Sequence, residues 1–134
     1  KYAMAKFYLI DFALKGADDP IKAFIKKFNR NPFFKGIVND IKKIREFGTK
    51  FDPTTIKKLG MACSYPGTFN SSIYTIINSK NYKDAILKTI KGGGCNCSRA
   101  NFTGAYFAAL KGRNSIPNYW VKKTKPAKKI LNQK

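Results

Sequence analysis

The residue types best suited to chemistry are concentrated in residues 92–98, whose sequence is Gly-Gly-Gly-Cys-Asn-Cys-Ser. Consecutive glycines permit positive φ angles and let the backbone approach a ligand closely. Ser98 follows at the predicted start of a helix, where unpaired N–H groups and the helix dipole favour an anion. No lysine follows the glycines as it does in nucleotide-binding loops. The pattern therefore indicates either a divergent phosphate-binding loop or a flexible connection between two helices.

Two of the three cysteines, Cys95 and Cys97, lie in this segment on either side of Asn96, and the third is Cys63. A helix N-terminus and the nearby Arg99 lower the pKa of a thiol, so thiol or redox activity is one hypothesis for this pair. Two ordinary reduced cysteines are the alternative, and a soft metal ion bound by all three thiols is another. The odd count argues against a secreted disulfide scaffold and favours a reducing, cytoplasmic location.

Composition excludes several kinds of active site. The 134 residues include no histidine and only 7 Asp and Glu residues. Nucleophiles activated by an imidazole and zinc sites with histidine ligands are therefore excluded. No apolar run approaches the roughly 20 residues of a membrane span, so we expect no membrane partner.

The chain is strongly basic, with 27 Lys and Arg residues and a formal net charge of +20. Only four of these are arginine, whereas nucleic-acid-binding proteins usually favour the forked arginine side chain. The lysines are best explained as a solubilising surface in a composition rich in lysine, asparagine and isoleucine. A basic nucleic-acid-binding helical domain remains the alternative.

Apolar residues recur with helical spacing, which predicts an all-α bundle of about six or seven short helices. Residues 1–120 are expected to form one helical domain, and residues 121–134, with six lysines, a mobile cationic tail. Asp18-Asp19-Pro20 and Asp52-Pro53 are helix-start signals, which explains the paired aspartates without a metal. A helix is predicted from about Ser98 to Gly112, and we expect its small residues to face the core. These residues are Ala100, Gly104, Ala105, Ala108 and Ala109.

Four segments occur in an order typical of a known family. They are ACSYPGTF at 62–69, YKDAILKTI at 82–90, GGCNCSRA at 93–100, and Gly104-Ala105 followed by Gly112 and IPNYW at 116–120. Residues 61–120 thereby resemble the C-terminal half of the ADP-ribosylglycohydrolase family. The third segment is most similar to the branch that contains the J-type crystallins and selenoprotein J.

The resemblance implies an all-α fold with paired magnesium ions in a cleft that holds ADP-ribose. It implies hydrolysis of the glycosidic bond between ADP-ribose and a protein side chain. Catalytic members of the family have Asp-x-Asp-Thr after the glycine pair, and both aspartates bind metal. The matching positions in this chain are Cys95, Cys97 and Ser98. Thiols are soft ligands and magnesium prefers hard oxygen ligands, so we expect magnesium binding to be lost.

The resemblance also implies a second metal motif, Thr-Asp-Asp, in an N-terminal half of the family domain that this chain does not contain. We therefore expect a partial or degenerate, crystallin-like member that does not hydrolyse ADP-ribose linkages, and we assign no catalytic residue. ADP-ribose or an ADP-ribosylated protein is the partner that the resemblance implies. The candidate ligand contacts are Gly93, Gly94, Asn96, Ser64 and Tyr65.

Overall fold

The structure is a computed structural model that describes residues 1–131, and within that range the regular secondary structure is entirely helical. The all-α prediction is confirmed. The elements are α1 (Tyr2–Leu14), α2 (Pro20–Phe28), α3 (Lys35–Arg45), α4 (Pro53–Leu59), α5 (Gly67–Ile77), α6 (Tyr82–Lys91), α7 (Asn96–Lys111), a 3-10 turn (Arg113–Ser115), α8 (Asn118–Lys123) and α9 (Ala127–Leu131).

The end of α8 and the whole of α9 fall within the segment expected to be a cationic tail. Up to residue 131 this segment is therefore helical in part. The remaining residues of the expected tail, 132–134, lie outside the described residues.

Side-chain caps fix the starts of three helices, two of them at the predicted helix-start signals. Asp19 Oδ1 accepts a hydrogen bond of 2.9 Å from the backbone N–H of Lys22, and Asp52 Oδ1 accepts one of 2.8 Å from that of Thr54. Asn81 caps α6 in the same way. Each cap satisfies an N–H group that the helix itself leaves unpaired. Asp19 thus has a structural role at the start of α2.

The central helix is α7, which packs against α1, α5 and α6. Its buried side chains include Arg99, Phe102, Thr103, Tyr106 and Phe107. The prediction that its small residues face the core is wrong for Ala105, which is exposed. Large side chains occupy the buried face because burying an aromatic ring removes far more apolar surface from water than burying an alanine.

One predicted small residue does permit close packing. A Cβ atom at Gly104 would lie 3.3 Å from the Tyr82 hydroxyl, so α6 and α7 approach closely at this point.

The phenylalanines of α2 and the turn before α3 form an aromatic core. Ring centroids are 4.8 Å apart for Phe24 and Phe28 and 4.5 Å apart for Phe28 and Phe34. All three side chains are buried. Their helical spacing predicts this, and their burial makes them unavailable for stacking on nucleic-acid bases.

Candidate functional site

The glycine loop, residues 92–95, connects α6 to α7 and is pressed against residues 61–63. Gly93 and Gly94 have φ angles of +68° and +66°. A Cβ atom at Gly94 would lie 2.6 Å from the carbonyl oxygen of Met61, closer than any real contact allows. The backbone N–H of Cys95 donates a 2.8 Å hydrogen bond to the same oxygen. The glycines thus serve the contact between these two segments.

Arg99 lies beneath the loop and is completely buried. Its guanidinium donates to the carbonyl oxygens of Gly93, Met61 (3.3 Å) and Thr89 (3.4 Å) and to the side-chain oxygen of Asn96 (3.0 Å). Burial lowers the pKa of Arg99, and the sulfur atoms of Cys95 and Cys63 oppose that shift. The guanidinium therefore holds both segments together and supplies positive charge below them.

The sequence indicates Arg99 only as a cation near the thiols, not as the residue around which the site is built. The spacing of Arg99 from apolar residues nevertheless indicates that it is buried. Arg99, Phe102, Thr103 and Tyr106 follow the i, i+3, i+4, i+7 spacing of one helix face. That spacing places the arginine on the buried stripe of α7.

Cys95 occupies the N-cap position of α7, and its sulfur lies 3.1 Å from the Ser98 hydroxyl. The Cys63 thiol, the Ser98 hydroxyl, the Ser98 backbone N–H and the Arg99 charge lower the pKa of Cys95 to about 7, in that order of importance. Partial desolvation opposes them. A substantial fraction of Cys95 is therefore thiolate at neutral pH, and the helix dipole favours the same charge state.

The other sequence-predicted site residues differ in their exposure and in their contacts. Cys63 and Cys97 are exposed, and Cys97 lies in the first turn of α7. Ser64 is exposed on the turn that follows Cys63. The ring of Tyr65 stacks on Tyr2 with 5.0 Å between centroids and has the Lys6 ammonium 5.1 Å from its centre. The structure thus brings Met61 against the glycine loop, whereas Tyr65 packs against α1.

The donor set at this loop does not fit magnesium. Cys95 and Cys97 supply sulfur, and Ser98 supplies one neutral oxygen. The sequence has no acidic residue after Asp84. Among the described residues, no three His, Cys, Asp or Glu side chains are grouped so as to hold a metal ion. The hypothesis of a soft metal on the three thiols is therefore not supported by their placement.

A concave region of about 550 Å³ lies away from the glycine loop, near the other end of α7, and is lined in part by Asp19, Arg45, Tyr106 and Lys111. Burial raises the pKa of Tyr106 well above its ordinary range, so its hydroxyl stays protonated. The region combines charges of both signs. It contains none of the sequence-predicted site residues.

No helix within residues 1–131 is long and apolar enough to cross a membrane.

Comparison with known proteins connects the whole chain to one family. A family model described as ADP-ribosylglycohydrolase matches residues 2–133. Crystallin J1A and Crystallin J1B of Tripedalia cystophora are 34% and 29% identical to the chain over 76 residues. Each alignment covers 57% of this chain and 24% of the relative, so the aligned part is about a quarter of those curated proteins. No solved structure matches the chain.

Proposed function

The chain belongs to the ADP-ribosylglycohydrolase family, and we propose that it binds ADP-ribose without hydrolysing the bond that links ADP-ribose to a protein. The observation that carries this proposal is the donor set of the glycine loop. In metal-assisted hydrolysis, the metal ions orient the substrate and activate water. Thiols and one hydroxyl at Cys95, Cys97 and Ser98 do not provide the charged oxygens that would hold magnesium here.

Three features support retained binding. Gly94 is exposed and Gly93 is half-buried, so a ligand can approach the loop backbone. The loop leads into the N-terminus of α7, a helix of 16 residues whose dipole favours a diphosphate. The net charge of +20 attracts the same group over a longer range.

The test combines a reaction assay with a binding measurement. An ADP-ribosylated peptide incubated with the chain and magnesium should keep its mass, while titration calorimetry should detect ADP-ribose binding without magnesium. Binding should weaken as pH rises through about 7, because the Cys95 thiolate repels the diphosphate. Magnesium-dependent release of ADP-ribose by this chain would overturn the proposal.

Two exposed tyrosines provide a matched pair for the binding measurement. Tyr65 lies four residues after Met61, which contacts the loop, and is 46% exposed, whereas Tyr119 lies in α8 and is 52% exposed. Tyr65→Ala should weaken ADP-ribose binding by up to roughly tenfold, which is the value of one aromatic contact. Tyr119→Ala should leave the affinity unchanged. Equal effects of the two substitutions would place the ligand elsewhere.

A crystallin-type structural role is the second candidate, and the names of the two similar jellyfish proteins favour it. In this case the family scaffold would be kept for its stability and solubility and not for a ligand. Calorimetry distinguishes the candidates, because a purely structural protein gives no heat with ADP-ribose at any pH between 6 and 8.

A further inference from the structure

The structure pairs cysteines differently from the sequence. Cys95 is the N-cap residue of α7 and Cys97 is the second residue of that helix. The Cys95 sulfur contacts the Ser98 hydroxyl at 3.1 Å, and Cys97 is not among the groups that shift the pKa of Cys95. Cys63 is distant in sequence, but it follows Met61 by two residues, and the Met61 carbonyl oxygen accepts the Cys95 N–H at 2.8 Å. The Cys63 thiol also contributes to the lowered pKa of Cys95. Cys63 is therefore the cysteine that the fold brings to Cys95 from another segment.

Backbone and side-chain contacts hold the two segments together on both sides of this pair. The N–H of Cys95 and the guanidinium of Arg99 both donate to the carbonyl oxygen of Met61, two residues before Cys63. The Arg99 charge acts on both sulfur atoms. Cys63 is exposed and Cys95 is half-buried, so a small oxidant can reach them.

We propose that Cys63 and Cys95 form a reversible disulfide when the protein meets a hydroperoxide, with Cys95 as the attacking thiol and Cys63 as the resolving thiol. This inference is independent of ADP-ribose binding. Ser98 and Arg99 act as positioning residues: the hydroxyl contacts the Cys95 sulfur at 3.1 Å, and the guanidinium supplies the positive charge.

The chemistry balances in two steps. The Cys95 thiolate attacks one oxygen of the hydroperoxide, the O–O bond breaks, and a sulfenic acid forms while the released alkoxide or hydroxide takes a proton. The Cys63 thiol then attacks the sulfenic sulfur, an S–S bond forms, and water leaves. Two thiols lose two electrons and the hydroperoxide gains them. A dithiol reductant reverses the bond by thiol–disulfide exchange.

The test treats the reduced full chain with hydrogen peroxide and maps the product by mass spectrometry. Trypsin places Cys63 in the peptide 59–80 and both other cysteines in the peptide 92–99. We expect a loss of two hydrogens and a cross-link between these peptides that dithiothreitol removes. Cys97→Ser should keep the cross-link, and Cys95→Ser should abolish it.

A sulfenic-acid trap keeps the test decisive even if Cys95→Ser fails to fold. In Cys63→Ser the resolving thiol is absent, so dimedone should label Cys95 and leave Cys97 unlabelled. Ser98→Ala should slow this labelling several-fold, and Ser115→Ala, on the distant 3-10 turn, should not. A dominant Cys95–Cys97 bond within one peptide, a cross-link between two chains, or dimedone on Cys97 in place of Cys95 would overturn the proposal.

Discussion

Arg99 joins three separate parts of the chain within a few ångströms. It bonds to the end of α6 through Thr89, to the glycine loop through Gly93, and to the preceding turn through Met61. The guanidinium suits this arrangement because its donors spread in a plane, whereas a lysine has one compact charged group. The buried cation therefore sets the geometry that the thiols experience.

Replacing this side chain should destabilise the fold strongly. Arg99→Met fills a similar volume but leaves the carbonyl oxygens of Thr89 and Gly93 without this donor, while that of Met61 keeps the Cys95 N–H. Since each buried acceptor left unpaired costs about 1–3 kcal/mol, we expect the free energy of unfolding to fall by at least about 2 kcal/mol. Urea denaturation followed by circular dichroism measures this change.

Arg113 is the matched control for this substitution, because it is exposed on the 3-10 turn. Arg113→Met should change the free energy of unfolding by less than about 0.5 kcal/mol. If Arg99→Met were equally mild, the guanidinium would not be what holds the loop.

At the scale of elements, the site depends on how closely α6, the glycine loop and the 61–63 segment approach one another. The loop turns back from α6 through two residues of positive φ and meets Met61 at Gly94. A side chain at that position would meet both an unfavourable backbone conformation and a physical obstacle. Gly16, which ends α1, shares the first problem only, with φ of +80° and open space around a Cβ atom.

Substituting each glycine by alanine therefore measures the cost of the backbone strain separately from the cost of the clash with Met61. Gly16→Ala should lower the free energy of unfolding by about 1–2 kcal/mol, the strain of a left-handed conformation. Gly94→Ala should cost a further 1–3 kcal/mol or so, because the loop must move away from Met61. It should also raise the pKa of Cys95, since the thiol loses its neighbours. Equal costs for both substitutions would contradict the close contact between the two segments.

Over the whole molecule, positive charge greatly exceeds what ion pairs can neutralise. In residues 1–131 the ion pairs are Lys15–Asp11, Arg45–Asp19 and Lys88–Asp84, so most lysines face solvent without an acidic partner. The surface therefore attracts any polyanion through counterion release. The rings of the aromatic core, Phe24, Phe28 and Phe34, are buried and cannot stack on bases.

These features predict nucleic-acid binding that depends on charge alone. Fluorescence anisotropy should detect binding of single-stranded and duplex DNA at low salt, and heparin should compete equally well. Binding should be lost near physiological ionic strength, about 150 mM, because the contacts are mainly to phosphates. Retention at that salt concentration with a preference for one sequence would favour a nucleic-acid-binding function instead.

Local sequence was sufficient for the helices and their starts. The spacing of Ile21, Phe24 and Phe28 defines one face of α2, and Asp19 and Asp52 provide caps, because helix periodicity and capping involve only residues a few positions apart. Helix α3 begins at Lys35, after a turn in which the Asn31 side-chain oxygen accepts a hydrogen bond from the backbone N–H of Phe33.

The chemistry of the glycine loop was only partly contained in the sequence. The resemblance to the family matches Cys95, Cys97 and Ser98 to the metal motif of its catalytic members, and the sequence is enough to show that thiols are poor ligands for magnesium. That the segment of Cys63 meets Cys95 through Met61, and that Arg99 is buried between these segments, was decided by the tertiary structure. Such contacts join residues more than thirty positions apart. They form because α5, α6 and α7 pack together, and a local sequence pattern cannot predict them.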